Sequence, residues 1–198
     1  MKVGIIIGSV REGRVSDRVA NWVLKQAQEM EGVEPFIIDL KDYAMPFFDE
    51  AMSPQYNPGR SSKPEVQKFL DVMSDIDSLV LVTPEYNRSY SAVLKNALDY
   101  IDFQLKQKPV QLVAHGSTGG AQAVSHLRAV LPGLAAITNP TAVMITDRAG
   151  EIIDEDGKLA QEHIDNPYGY QATLKNALAD LKWYSDALAA ARKQSKDS

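Results

Sequence analysis

Short apolar runs alternate along the chain with segments whose apolar residues recur at helical spacing. Val3 to Ile7 is a β-branched run that ends at Gly8, which is typical of a buried strand. The segment that follows carries apolar residues on one helical face, and the same alternation occurs five times. The predicted strands are 3–7, 33–40, 79–82, 110–114 and 141–145, and the predicted helices are 16–30, 65–75, 91–106, 120–131 and 170–192.

Five strand–helix units predict an α/β protein with a parallel sheet and helices on both faces. The number of units fits a doubly wound, flavodoxin-like sheet of order 2-1-3-4-5, which is a three-layer sandwich. A β/α barrel needs eight units and about 250 residues, so the 198-residue chain does not fit one. No internal repeat or low-complexity linker divides the chain, and a single domain over residues 1–198 is expected.

Two segments, 41–63 and 146–167, are longer than the usual connections of such a fold. Loops of this length inside a compact domain usually have a functional or interfacial role, and a plain surface excursion is the alternative. The second loop is acidic. Residues 147–165 carry seven acidic and two basic side chains, which accounts for the whole formal charge of -5.

The composition excludes several classes of function. The chain has no cysteine, so disulfides, zinc–thiolate sites, iron–sulfur clusters and cysteine nucleophiles are excluded. The net negative charge disfavours nonspecific binding to nucleic acid or anionic lipid. No apolar run approaches the roughly 18 residues of a membrane span, and the glycine-interrupted N-terminus is unlike a signal peptide. We therefore expect a cytoplasmic protein with neither nucleic-acid nor membrane partners.

The loop between the first strand and the first helix has the chemistry of an anion site. Ser9 and Ser16 supply hydroxyls, Arg11 and Arg14 supply guanidiniums, and the helix start supplies backbone N–H groups. Ligands of such sheets bind beyond the carboxyl ends of the strands, where this loop lies. The alternative is that Ser16 merely caps the helix and that the arginines are solvated.

Two known phosphate-binding motifs do not fit this loop. Gly8 and Gly13 have the spacing of a P-loop, but Arg14-Val15 stands where that motif needs Lys-Ser/Thr, so the magnesium-binding hydroxyl is missing. Residues 4–8 also lack the G-x-G-x-x-G pattern of dinucleotide sites. A phosphomonoester held by hydroxyls and a guanidinium fits better, and no metal site is predicted.

The loops after the third and fourth strands are expected to converge on the first loop, because strands 1, 3 and 4 are neighbours in the order 2-1-3-4-5. Residues 83–90 bring aromatic and amide groups, and residues 115–120 are glycine-rich and precede a helix. A flat heteroaromatic ring with a phosphate tail would use all three loops. Ordinary packing of the tyrosines and flexible glycine turns are the alternatives.

Several motifs at these positions resemble the NADPH-dependent FMN reductase family. They are Gly8-Ser9-x-Arg11, Thr83-Pro84-Glu85-Tyr86-Asn87, the LKNALDY sequence of residues 94–100, and Gly119-Gly120. Residues 39–49 are also similar to the loop that follows the second strand in that family. The resemblance covers about residues 2–145, and the combination of the PEYN and LKNA motifs is specific.

The resemblance implies an enzyme with FMN as cofactor, NADPH or NADH as reductant, and a small-molecule electron acceptor such as free flavin, a quinone, an azo compound or a metal ion. The expected kinetics are ping-pong, the hydride chemistry belongs to the flavin, and no side chain is assigned as a catalytic acid. Members of the family are usually homodimers or homotetramers.

The resemblance also implies positions for the cofactor. The residues expected at the FMN phosphate are Ser9, Arg11 and Ser16. Those expected along the ribityl chain and ring are Pro84, Glu85, Tyr86 and Asn87, and those expected at the pyrimidine end are Gly116, Ser117 and Gly119. Amides at the start of the following helix would stabilise negative charge on the ring. From its charge rather than from the resemblance, Arg14 is also expected at the cofactor site, and Arg14 and Arg88 are candidates for the 2′-phosphate of NADPH, with plain surface charge as the alternative.

The chain departs from the family pattern directly after Asn87. Residues 88–92 read RSYSA, whereas the family usually has a small residue or His followed by Ser-Ile-Pro-Gly. The departure concerns the entrance to the ring and the substrate preference. His115 is expected to be packed or solvated rather than catalytic. Two other functions stay open, namely an electron carrier without an NAD(P)H reaction and a non-enzymatic FMN-binding module.

Overall fold

Strands and helices alternate in the computed structural model of the protein, which describes residues 1–194. The strands are β1 (Lys2–Ile7), β2 (Glu34–Asp39), β3 (Ser78–Pro84), β4 (Pro109–His115), β5 (Ile137–Thr138) and β6 (Val143–Ile145). The helices are α1 (Ser16–Gln28), α2 (Pro64–Asp75), α3 (Ala92–Asp99), α4 (Ala121–Val130), α5 (Ala149–Ile152), α6 (Gln161–Asp165) and α7 (Tyr170–Gln194). Short 3-10 helices cover Leu40–Asp42, Pro54–Tyr56 and Leu131–Leu134. Residues 195–198 of the expected domain lie outside the described residues.

The strands pair in parallel in the order β2-β1-β3-β4-β5. β1 lies between β2 and β3, with its last residue Ile7 opposite Val82 of β3. β3 pairs with β4 as far as Pro84, which lies opposite His115. The α/β class and the flavodoxin-like strand order predicted from the sequence are confirmed.

Two short strands fill the fifth position of the sheet, where the sequence predicts a single strand over 141–145. β5 pairs with the start of β4, and β6 pairs with its end. Between them, the buried Asn139 side chain donates hydrogen bonds to Gln111 Oε1 at 2.8 Å and to the Ala177 carbonyl oxygen at 3.2 Å. The Asn139 N–H still pairs with the Val110 carbonyl oxygen at 2.9 Å, so side-chain hydrogen bonds supplement the backbone pairing at the break, which a count of apolar residues does not reveal.

Apolar side chains on both faces of the sheet pack against helices and form two cores. α1 and α7 cover one face, and α2, α3 and α4 cover the other. Successive residues of β1 point into opposite cores, since Ile5 packs with α1 and Ile6 packs with α2 and α3. Trp22 of α1 and Phe69 of α2 are fully buried on opposite faces. Because both faces are covered, the strand ends are left for the loops that form a site.

α3 ends at Asp99, although helical spacing predicts a helix as far as residue 106. Arg60, from the loop after β2, donates a hydrogen bond of 2.6 Å to the Tyr100 carbonyl oxygen and reaches Asp102 at 3.1 Å. A continuing helix would pair that carbonyl with one of its own N–H groups. The Arg60 side chain is 6% exposed, so a buried tertiary contact holds the loop here.

α7 spans 25 residues and buries one side against the sheet through Leu174, Leu178 and Leu181. Its Trp183 is exposed. Within residues 1–194, no helix combines the length and the apolar character that crossing a bilayer requires.

The backbone at the start of α4 requires glycine at position 120. The φ of Gly120 is +76°, and an added Cβ would lie 2.4 Å from Ala114 Cβ. We expect Gly120→Ala to lower the free energy of unfolding by at least about 2 kcal/mol, because a left-handed backbone and a contact with a fixed strand both disfavour the side chain. Denaturant unfolding measures the change.

Gly133→Ala is the matched control, because its added Cβ would have no atom within 4 Å. We expect it to change the free energy of unfolding by less than about 1 kcal/mol. An equal effect of the two substitutions would contradict the prediction.

Candidate active site

The carboxyl ends of β1, β3, β4 and β6 surround a cleft of about 510 Å³, a size usual for small-molecule sites. Three of its walls are the loops that the sequence predicts to converge, and a fourth is formed by residues 146–151. The lining residues of the three loops are Arg11, Gly13, Arg14 and Val15 after β1, Pro84, Glu85 and Tyr86 after β3, and His115, Gly116 and Ser117 after β4.

The hydroxyls of Ser9 and Ser16 are buried and already hydrogen-bonded within the protein. Ser9 Oγ lies 2.8 Å from the Tyr86 hydroxyl, and Ser16 Oγ lies 2.9 Å from His115 Nε2. Both serines are at most 1% exposed. Their hydroxyls connect the first loop to the second and third, so a bound phosphate would share them with Tyr86 and His115.

Arg11 is the exposed cation of the first loop. Its guanidinium lies over the Tyr86 ring, 5.2 Å from the ring centroid, and no carboxylate of residues 1–194 pairs with it. α1 begins five residues later. Its N-cap residue Val15 makes no side-chain hydrogen bond, whereas Asp17 Oδ1 accepts the Arg18 N–H at 2.9 Å. The space beside Gly13 is open, with no atom within 4 Å of an added Cβ. An unpaired guanidinium, the first N–H groups of α1 and open space are what an anion subsite needs, and they meet at this corner of the cleft.

Arg14 lies in the same wall, but its guanidinium is paired. It forms a two-pronged ion pair with Asp39 at the end of β2 and donates a hydrogen bond of 2.6 Å to the Ser9 carbonyl oxygen. The Arg14 side chain is 8% exposed. The structure thus brings Arg14 to the cleft with its charge compensated, and its contact with a cofactor stays a prediction.

Glu85 lines the cleft, and its side chain contacts the first turn of α4. Its carboxylate accepts hydrogen bonds from Thr118 Oγ1 at 3.1 Å and from the Gln122 N–H at 3.0 Å, in the first turn of α4. A carboxylate at this place caps the helix and offsets its positive end. The Glu85 N–H donates to the His115 carbonyl oxygen at 2.9 Å, which joins the second and third loops.

Asn87 lies at the tip of a tight turn and does not line the cleft. Tyr86 and Ser89 exchange backbone hydrogen bonds of 2.8 and 3.1 Å. The φ angles of Asn87 and Arg88 are 50° and 68°, which is the pattern of a type I′ turn. The turn fixes the backbone of Tyr86 and presents Arg88 to solvent.

The segment that lacks the family's proline and glycine is closed by a serine cap. Ser91 Oγ accepts a hydrogen bond of 3.2 Å from the Leu94 N–H at the start of α3 and donates one to the Gly8 carbonyl oxygen. The cap ties α3 to the end of β1. The departure in sequence therefore leaves this strand end and helix start connected.

Gly116 and Ser117 line the cleft, whereas Gly119 lies behind it. A Cβ added to Gly119 would lie 3.0 Å from Thr146 Cγ2. The N–H groups of Gly116 and Gly119 donate within the protein, to Ile145 at 3.4 Å and to Gly116 at 2.9 Å. Among the described residues, Ser117 therefore carries the free backbone N–H of this wall.

The sequence prediction did not include the fourth wall, residues 146–151. The Tyr170 hydroxyl at the start of α7 holds this wall, since it accepts the Thr146 N–H at 3.2 Å and donates to Asp147 Oδ2 at 2.9 Å. The strand order could have predicted this wall. The fifth strand lies beside the fourth, so the loop that follows it reaches the same edge of the sheet. Gly13, Val15 and His115 are further lining residues outside the predicted set.

His115 is packed at the end of β4, where its ring meets Ser16 of α1. Burial lowers the pKa of His115 from 6.5 to about 4, so the ring is neutral at pH 7. In residues 1–194, no three His, Asp or Glu side chains are arranged to hold a metal ion.

A cleft of this size at the carboxyl edge of a doubly wound parallel sheet is where such folds bind nucleotide-like ligands. Residues 1–150 match the model of the NADPH-dependent FMN reductase family. The chain therefore belongs to this family, and it is an oxidoreductase that uses FMN and NADPH or NADH. The electron-carrier and non-enzymatic alternatives are not favoured.

Individual relatives agree with the family. The chain is 29% identical to an NAD(P)H-dependent FMN reductase of Schizosaccharomyces pombe, over 84% of this chain and 92% of that protein. It is 33% identical to an FMN-dependent NADPH-azoreductase of Staphylococcus haemolyticus, over 80% and 84%. It is 30% identical to a 2-hydroxy-1,4-benzoquinone reductase of Burkholderia sp., over 82% and 87%.

Solved structures support the fold. FerB of Paracoccus denitrificans, a flavoenzyme NAD(P)H:acceptor oxidoreductase, superimposes with a TM-score of 0.71. The alignment covers 96% of this chain and 97% of FerB at 22% identity. At that identity the likeness bears on the fold alone.

The partly buried, neutral His115 predicts a pH-dependent stability. Between pH 6.5 and about 4 the unfolded state binds a proton that the native state does not, so the free energy of unfolding falls as the pH falls. We expect wild type to lose about 2 kcal/mol more than His115→Gln between pH 7 and pH 5. Denaturant unfolding at the two pH values checks this. An identical pH dependence of the two proteins would contradict it.

Proposed function

We propose that the cleft holds FMN with its phosphate against residues 9–16, and that the enzyme passes electrons from NADPH or NADH to a quinone or an azo compound. The observation that carries this proposal is the unpaired Arg11 guanidinium beside the start of α1, whose N-cap residue Val15 makes no side-chain hydrogen bond. When bound, FMN supplies the hydride chemistry, which no side chain of this site can perform. The protein binds and orients the reactants.

The distribution of charge in the cleft suits a phosphate ester at the corner where Arg11 meets the start of α1. Arg14 is paired with Asp39, and Arg148 is paired with Glu151 at 3.0 Å. These pairs leave Arg11 as the unpaired cation of the lining in residues 1–194. A phosphate dianion needs cationic and N–H donors, and both are present where Arg11 meets the helix start.

The walls after β3 and β4 fit a flat ring. A Cβ added to Gly116 would lie 3.2 Å from Glu85 Cβ, so the two loops approach closely only because position 116 has no side chain. Pro84 and Tyr86 contribute to one wall, and the Ser117 N–H is a donor on the other. Because Glu85 offsets the positive end of α4, negative charge at the pyrimidine end of the ring relies on single N–H groups rather than on the helix dipole.

The acceptor class follows from the relatives. The similar proteins named as an azoreductase and a benzoquinone reductase act on flat, conjugated molecules. One cleft serves the coenzyme and the acceptor in turn, which gives ping-pong kinetics. The protein acts as a single FMN-binding domain over residues 1–198, in the cytoplasm, without nucleic-acid or membrane partners.

The subunits associate as a homodimer or a homotetramer. Three aromatic side chains in loops that flank α3 support this proposal, since Phe47, Tyr56 and Phe103 are 81%, 83% and 46% exposed. Burial of these side chains against a second copy would remove their apolar surface from water. Sedimentation equilibrium tests the assembly, and a monomer at micromolar concentration would contradict it.

The activity is tested by mixing the purified protein with FMN and NADPH without air and following the flavin absorbance. We expect rapid bleaching, and recovery of the absorbance when a quinone or an azo dye is added. Free flavin, ferric ion and chromate complete the panel of acceptors, and NADH replaces NADPH in a second series. No bleaching with either coenzyme would contradict the proposed function.

Arg11→Ala tests the phosphate subsite. Loss of a charged hydrogen bond costs about 1.5–3 kcal/mol, so we expect the Kd for FMN to rise about 10- to 150-fold. Binding of riboflavin, which has no phosphate, should not change. Lys25→Ala, which removes a charge from the far end of α1, is the control and should bind FMN like wild type. An unchanged Kd of Arg11→Ala would remove Arg11 from the site.

A further inference from the structure

The Arg14 side chain crosses the first loop and fastens it to the end of β2. It reaches the Ser9 carbonyl oxygen at one end of the loop at 2.6 Å, and it pairs through two nitrogens with Asp39. Its Nε also approaches Asp17 in the first turn of α1 at 3.4 Å. One guanidinium thus joins β2, the loop and α1.

The pair of Arg14 and Asp39 is a shielded contact. The two side chains are 8% and 19% exposed, so solvent screens their attraction less than it screens a surface pair. Burial by itself would raise the pKa of Asp39, but hydrogen bonds from Arg14 and from the Lys41 N–H hold that pKa below its ordinary value. The hydrogen bond that Arg14 donates to Asp39 also raises the pKa of Arg14. The pair is therefore fully charged at neutral pH.

We propose that Asp39 is a positioning residue for the FMN phosphate, acting through Arg14 and never touching the cofactor. Asp39 does not line the cleft, whereas the loop it holds carries Arg11 and leads into the start of α1. The proposal rests on the function proposed above. It makes this pair a determinant of FMN affinity, although one member of the pair is an acidic residue close to an anion subsite.

Electrostatics and positioning give opposite signs for the loss of Asp39. Removing a negative charge near the subsite and releasing Arg14 would tighten phosphate binding if charge alone mattered. Releasing the loop would weaken binding, because FMN would then have to order residues that wild type already holds in place. Positioning predicts the second result.

Asp39→Asn is the decisive variant, because it keeps the shape and an oxygen that can accept the Lys41 N–H. We expect the Kd for FMN to rise about tenfold and the Kd for riboflavin to change less than about twofold. Fluorescence titration measures both, and neither measurement depends on turnover. Asp42→Asn is the control, since it removes an exposed charge three residues away and should leave both constants unchanged.

Arg14→Lys keeps both charges, but a lysine cannot reach Asp39, Ser9 and Asp17 at once. If Asp39→Asn does not fold, the Kd values of Arg14→Lys for FMN and riboflavin are compared instead. We expect it to weaken FMN to a similar extent. The double variant should bind FMN no more weakly than the weaker single variant, because both substitutions break one contact.

Three results would overturn the proposal. They are tighter or unchanged FMN binding by Asp39→Asn, an equal loss of FMN and riboflavin, and additive effects in the double variant. A wild-type protein that binds neither flavin would instead refute the proposed function itself. If wild type binds FMN and Arg11→Ala weakens it while Asp39→Asn does not, the site stands and the positioning role of Asp39 fails.

Discussion

Parallel pairing of β1 with β3, and of β3 with β4, determines where this protein can bind a ligand. Parallel strands end at the same edge, so each loop that follows a strand arrives beside its neighbours. The register places Ile7 opposite Val82 and Pro84 opposite His115. Helices cover both faces of the sheet, and the backbone groups beyond the strand ends are the ones left to meet a cofactor.

Most polar side chains of the cleft form hydrogen bonds or ion pairs with other protein groups. Glu85 caps α4, Arg14 is bound to Asp39, and the Ser9 hydroxyl is bound to Tyr86. Each contact joins two loops or a loop and a helix, which makes the walls a connected frame rather than separate excursions. The frame leaves the Arg11 guanidinium without a carboxylate partner among the described residues, so the cleft favours an anion at that corner.

Sequence reasoning placed the three converging loops correctly because topology alone brings them together. It did not assign partners, and side chains such as Ser16 and Arg14, which the motif presents as phosphate ligands, turned out to be hydrogen-bonded inside the protein. The end of α3 and the break between β5 and β6 were missed for the same reason. Arg60 and Asn139 change local structure through contacts with residues far away in the chain.

The sequence by itself determined the class of fold, the strand order, the edge that carries the site and the family, because hydrophobic periodicity and short motifs are local properties. The tertiary structure decided which charges of the cleft are paired, that residues 146–151 form a wall, and that the partly buried His115 is neutral. Burial and pairing depend on which distant segments meet, and the free energy of a charge depends on those neighbours more than on its own residue type.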